Sequence, residues 1–126
     1  MSKQIALTIL IALASVGAHA EWVLVNENDQ LRSYLDFASA RKEGDLRRVW
    51  GLEDFKRPGP HGELSALVLT EWDCTHGRRR FLSSMLFSSA MTKGTLVGQS
   101  NGKATDWDSA GAHTFSERVE QAVCSR

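Results

Sequence analysis

The chain has 126 residues, and at that length a single domain is the expectation. Its 15 Lys and Arg balance 15 Asp and Glu, which argues against a nucleic-acid binder, whose surface carries a basic excess. With 42% hydrophobic residues and two cysteines, the composition excludes the disordered, collagen-like and cysteine-dense classes.

The N-terminus has the layout of an export signal. Lys3 precedes an uncharged apolar run from Ile5 to Val16, and Ala18-His19-Ala20 follows as a small-x-small box. That order predicts a secretory signal peptide, residues 1–20, cleaved after Ala20. A run of 12 residues is shorter than the roughly 20 that span a bilayer, so no membrane anchor is expected after cleavage. Residues 21–126 then form one exported domain with 14 basic and 15 acidic side chains. No cysteine lies near the cleavage point to accept a lipid, so periplasm or medium is the expected destination.

Trp22 to Val25 reads as a first strand, with Asn26-Glu27-Asn28-Asp29 as the turn after it. Ser33 to Phe37 is a weaker strand, and Lys42-Glu43-Gly44-Asp45 carries hairpin chemistry. Leu46 to Phe55 is a long strand, closed off by Pro58-Gly59-Pro60-His61-Gly62 because proline cannot donate to a ladder. Leu64 to Cys74 is the clearest strand. Leu64, Ala66, Val68, Thr70, Trp72 and Cys74 share one face, while Ser65, Leu67, Leu69, Glu71 and Asp73 share the other. Thr75-His76-Gly77 turns the chain, and Arg79 to Ser88 returns, with Phe81, Met85 and Phe87 alternating against Leu82 and Leu86. Thr95 to Ser100 is the last strand, before an Asn101-Gly102 turn.

The period then changes. Thr114-Phe115-Ser116-Glu117 fits a capping box, and Phe115, Val119, Ala122 and Val123 fall on one helical stripe. The predicted fold is α+β: a small antiparallel sheet of about six strands with a C-terminal helix packed on one face. An even cysteine count in an oxidising compartment predicts a Cys74–Cys124 disulfide tying helix to sheet. Leu67, Leu69, Leu82 and Leu86 are left for the second face, covered either by loops of the chain or by a second protomer in a homodimer.

Several segments in order resemble the bacterial surface-adhesin protein E-like family. They are Trp22-Val23-Leu24-Val25, the Tyr34 strand, Arg47-Arg48-Val49-Trp50, Asp54-Phe55-Lys56, Glu71-Trp72-Asp73-Cys74, Arg78-Arg79-Arg80-Phe81 and a helix ending at Val123-Cys124. The resemblance implies a small antiparallel sheet, a C-terminal helix and one disulfide between them. It also implies adhesion to host matrix or plasma proteins. The family's adhesin is a lipoprotein held on the outer surface, whereas this signal ends in Ala18-His19-Ala20 without a lipid-acceptor cysteine.

No catalytic or cofactor signature is present. His61, His76 and His113 lack metal spacing, and the chain has neither a phosphate loop nor a nucleophile elbow. Asp73, His76 and Ser83 make a hydrolase triad only on paper. No cofactor, metal or nucleic-acid partner is expected. Arg78, Arg79 and Arg80 form a compact basic cluster at a hairpin, and Lys56-Arg57, Arg41-Lys42 and Arg47-Arg48 add basic pairs. Such clusters engage acidic partners, though charge on a sheet edge also serves simply to block pairing. Two roles follow: a non-enzymatic binding module using Arg78, Arg79, Arg80, Lys56 and Arg57, or a periplasmic accessory or inhibitor protein acting on an envelope partner.

Overall fold

The computed structural model describes residues 20–100, 102–109 and 114–126, with helix side chains from Glu117 onward. Residues 1–19 of the predicted signal, Asn101 of the predicted turn, and the side chains of Thr114, Phe115 and Ser116 in the predicted capping box lie outside these. Seven strands form one antiparallel sheet: β1 (Val23–Glu27), β2 (Leu31–Glu43), β3 (Leu46–Phe55), β4 (Ser65–Asp73), β5 (Arg78–Phe87), β6 (Leu96–Ser100) and β7 (Asp108–Ser109). The first six lie side by side in chain order, and the two-residue β7 pairs with the start of β5. Helix α1 (Thr114–Cys124) follows, and Cys124 is bonded to Cys74 just beyond β4.

β3, β4 and β5 fall within a residue of their predicted limits, because each alternates or is bounded by turn residues that local chemistry dictates. Gly44, at φ +59°, makes the tight β2–β3 turn. β1 runs on through Asn26 and Glu27, and the turn starts only at Asn28, whose Oδ1 accepts from the backbone N–H groups of Gln30 and Leu31. β2 spans 13 residues, well beyond the predicted Ser33 to Phe37. A bulge between Asp36 and Arg41 breaks its alternation, and side chains repair the gap. Asp36 Oδ1 accepts from Ala38 N–H, and Ser39 Oγ accepts from Trp50 N–H across the strand boundary.

A second bulge corrects the predicted faces of β5. Leu69 opposes Ser83 while Thr70 opposes Phe81, so Leu82 is the extra residue. Phe81 therefore shares the face of Thr70 and Val68 with Leu86, whereas Met85 and Phe87 join Leu67 on the other. A strict period of two cannot register an inserted residue, which moves everything after it to the opposite face.

Leu35, Val49, Trp72, Val119 and Val123 form the buried cluster, with Cys74, Ala122 and Cys124 packed against it. Behind the sheet, Leu52 is fully buried and Leu67, Leu69 and Met85 are half-buried. A loop of the chain crosses part of this second face. A 3-10 turn at Ala90–Thr92 donates Met91 N–H to Asp54 Oδ1 (3.0 Å) and Thr92 N–H to Ser65 Oγ (2.8 Å). Ser65 in turn donates to Ser89 O at 2.6 Å. These bonds hold Met91 and Thr92 in left-handed backbone conformations that non-glycine residues adopt at a cost.

The loop leaves through Gly94, at φ +79°, where a Cβ would collide with the hydroxyls of Ser88 and Ser89. Gly94→Ala is expected to destabilise the fold by about 1–2 kcal/mol. A lowered urea midpoint with unchanged slope would register it; an unchanged midpoint would mean that the loop contributes nothing to stability.

Candidate functional site

Strand alternation divides the three consecutive arginines. Arg78 and Arg80 lie opposite Asp73 and Glu71, while Arg79 lies opposite Trp72 on the other face. Arg79 stacks there over the rings of Trp72 and Phe81, 5.5 and 5.3 Å from their centroids. Cross-strand register brings Arg41 of β2, Arg48 of β3, Glu71 of β4 and Arg80 of β5 into one row. The neighbouring row holds Glu43, Leu46, Asp73 and Arg78.

Glu71 is the centre of this arrangement. Its side chain is wholly buried and accepts from Arg48 Nε at 2.7 Å on Oε2 and from Arg80 Nε at 2.8 Å on Oε1. Burial pushes its carboxyl up, but the hydrogen bonds and charges of Arg48 and Arg80 outweigh that and hold it below the usual carboxylate range. Asp73 repeats the pattern one row along. Arg78 Nε donates to its Oδ2 at 2.9 Å, and His76 contributes its backbone N–H and a ring nitrogen at 2.9 Å. Burial likewise raises the Asp73 carboxyl, and these partners bring it below its ordinary value.

The carboxylates lie beneath and the guanidinium groups lie outside. Arg48, Arg78 and Arg80 keep 44, 42 and 30% of their side chains in solvent, against 0 and 6% for Glu71 and Asp73. Trp107, just before β7, stacks on both Arg78 (4.6 Å) and Arg80 (4.3 Å). Arg48 and Arg78 meet their carboxylates through Nε, at 2.7 and 2.9 Å, and both side chains stay more than two-fifths exposed. The surface is thus cationic, planar and held in a fixed orientation, the geometry that suits carboxylate and sulfate groups.

Other residues of interest lie elsewhere. Lys56 and Arg57 follow the far end of β3, roughly 25 Å along the strand from Arg48. Lys56 pairs with Glu27 at 2.7 Å, and its hydrogen bond lowers the Glu27 carboxyl. Asp73 and His76 are hydrogen-bonded, but Ser83 lies opposite Leu69, about 13 Å along β4, so the three do not assemble a triad. Among the described residues no cluster of His, Cys, Asp or Glu is arranged to hold a metal ion, and no helix is long and apolar enough to cross a membrane. Reading the sequence alone missed the roles of Glu71, Asp73, Arg48 and Trp107. The signal was available for two of them: acidic residues at alternate positions of a strand, directly across a hairpin from Arg78 and Arg80.

An antiparallel meander stapled to its C-terminal helix, with arginines fixed across one face, defines a small α+β domain whose chemistry lies on a sheet surface. The model of the family described as surface-adhesin protein E matches residues 22–125, and the chain belongs to that family. Comparison with curated proteins gives no match. Two solved structures of Haemophilus influenzae protein E share the fold. The selenomethionine form is 13% identical with a TM-score of 0.63, over 83% of this chain and 86% of that one. Crystal form II is 12% identical with a TM-score of 0.61, over 82% and 87%.

Proposed function

We propose that this is an exported, non-enzymatic, adhesin-like module that binds acidic partners through the arginine face. The single observation that carries this reading is the row of guanidinium groups turned outward by buried Glu71 and Asp73 and braced by Trp107. Val119 and Val123 of α1 pack with Leu35, Val49 and Trp72, while Arg78 and Arg80 project from the other side of the β4–β5 hairpin, and that placement supports the arginine side as the binding surface. Family membership supports the adhesin-like character. Export through cleavage after Ala20 is part of the same reading, since matrix proteins and polyanions lie outside the cell.

Changing both Arg78 and Arg80 to Ala is expected to lower the salt needed to elute the protein from immobilised heparin, because exposed ion pairs are screened by salt. Arg79→Ala, on the opposite face, serves as the comparison and is expected to elute like the parent. Equal elution of the double variant and the parent removes the arginine face from the proposal. The Lys56→Ala, Arg57→Ala variant then tests the other basic pair.

A second reading is a periplasmic accessory protein acting on an envelope partner. Its motive is the Ala18-His19-Ala20 box, read as a plain cleavage site for export. Cell fractionation with protease accessibility decides between the two: protein protected in intact cells and released with the periplasm cannot reach host matrix.

A further inference from the structure

The face opposite the arginine row contains a cavity of about 250 Å³ between β3, β4, β5 and the segment after β6. Phe55, Phe81 and Leu86 wall it, and Ala66 and Ser84 are the small residues that leave the hollow. Into it faces Glu53, placed by register across from Ala66. Among the described residues the Glu53 carboxylate has neither a hydrogen bond nor an ion pair. The charge of Arg79 acts on it, but that guanidinium is stacked on Trp72 and Phe81. Lys103 lines the same cavity from the exposed rim, where solvent screens it. Burial raises the Glu53 carboxyl, and Arg79 offsets this only in part. Ser83, Ser84, Ser100 and Thr105 also line the cavity, but none of them bonds the Glu53 carboxylate, and a carboxylate left unpaired beside Phe55, Phe81 and Leu86 is one that a cation delivered to it would stabilise.

We propose that this cavity binds a small amphiphilic amine. The ammonium meets the Glu53 carboxylate, and a short apolar chain lies against Phe55, Phe81 and Leu86. The volume equals that of about eight waters in the liquid, which fits a ligand of similar heavy-atom count. The site is independent of the arginine face, and neither depends on the other.

The test is an NMR titration of the purified protein with hexylammonium, hexan-1-ol and hexanoate. Hexylammonium is expected to produce saturable shifts at Ala66, Phe81 and Ser84, with hexanol at least tenfold weaker and hexanoate silent. Glu53→Gln is expected to abolish the preference of amine over alcohol while leaving the spectrum that of a folded protein. If that variant fails to fold, the Glu53 side-chain carboxyl carbon followed against pH in the parent provides the same information: bound amine must move its midpoint to lower pH. Equal affinity for amine and alcohol, preference for hexanoate, an unmoved Glu53 midpoint or no saturable shift each overturns the proposal.

Discussion

Replacing Cys74 and Cys124 together with serine is expected to lower the stability of the protein by about 4 kcal/mol. The bridge closes a loop with a sequence separation of 50, and the chain-entropy relation turns that length into this magnitude. For a domain of about 100 residues the corresponding fall in Tm is roughly 15–25 °C. The effect is concentrated on α1. Its 11 residues are too few to hold a helix in isolation, and among its described side chains the buried ones are Val119 and Val123. Losing the staple frees these valines from Trp72, Leu35 and Val49. Thermal unfolding followed by circular dichroism, with and without reductant, measures the loss, and a red shift in tryptophan emission reports exposure of Trp72. A change below about 1 kcal/mol would mean that apolar packing alone holds the helix, contrary to the expectation.

Glu71→Ala is expected to cost about 2–3 kcal/mol. Breaking a buried ion pair by removing one partner costs roughly 3–5 kcal/mol, and the discount here reflects the exposure of both arginines, 44 and 30% of their side chains. Without Glu71, Arg48 and Arg80 face each other across β4 with no anion between them, and their like charges repel. The same carboxylate sets an acid limit. Glu71 and Asp73 are both depressed in the folded protein relative to an unfolded value near 4. Their stabilisation is therefore fully present above that pH and is lost as pH falls through the folded values. Urea midpoints from pH 7 down to 2 should fall steeply for the parent and less steeply for Glu71→Gln. Parallel profiles would sink the assignment of acid sensitivity to this carboxylate.

Local chemistry made much of the sheet legible. Gly44 marked one turn, Pro58 and Pro60 ended β3, and the alternation from Leu64 to Cys74 assigned both faces of β4 correctly. β2 and β5 were harder because bulges at Asp36–Arg41 and at Leu82 interrupt their period. A bulge is stabilised by what the partner strand offers, as when Ser39 accepts from Trp50 N–H, so residues within the strand do not announce it. The two-residue β7 carries no periodic signal, and it exists because β5 presents an open edge at Arg78 and Arg79.

The arginines illustrate the same division at the site. As a sequence, Arg78-Arg79-Arg80 is one basic patch; on a pleated strand it is two residues on one face and one on the other. Likewise the sequence places Glu71 and Asp73 only on the second face of β4, beside Ser65, Leu67 and Leu69, and their burial follows from arginines supplied by β3 and β5. Composition and period alone determined the class of this protein: an α+β domain of antiparallel strands, a closing helix and a cysteine pair placed to join them. Only the tertiary structure decided which charges are neutralised, which face outward and where Glu53 sits in a cavity without a hydrogen bond or ion pair among the described residues. Period and turn chemistry act between neighbours in the chain, whereas charge pairing and burial depend on residues that only strand register brings together.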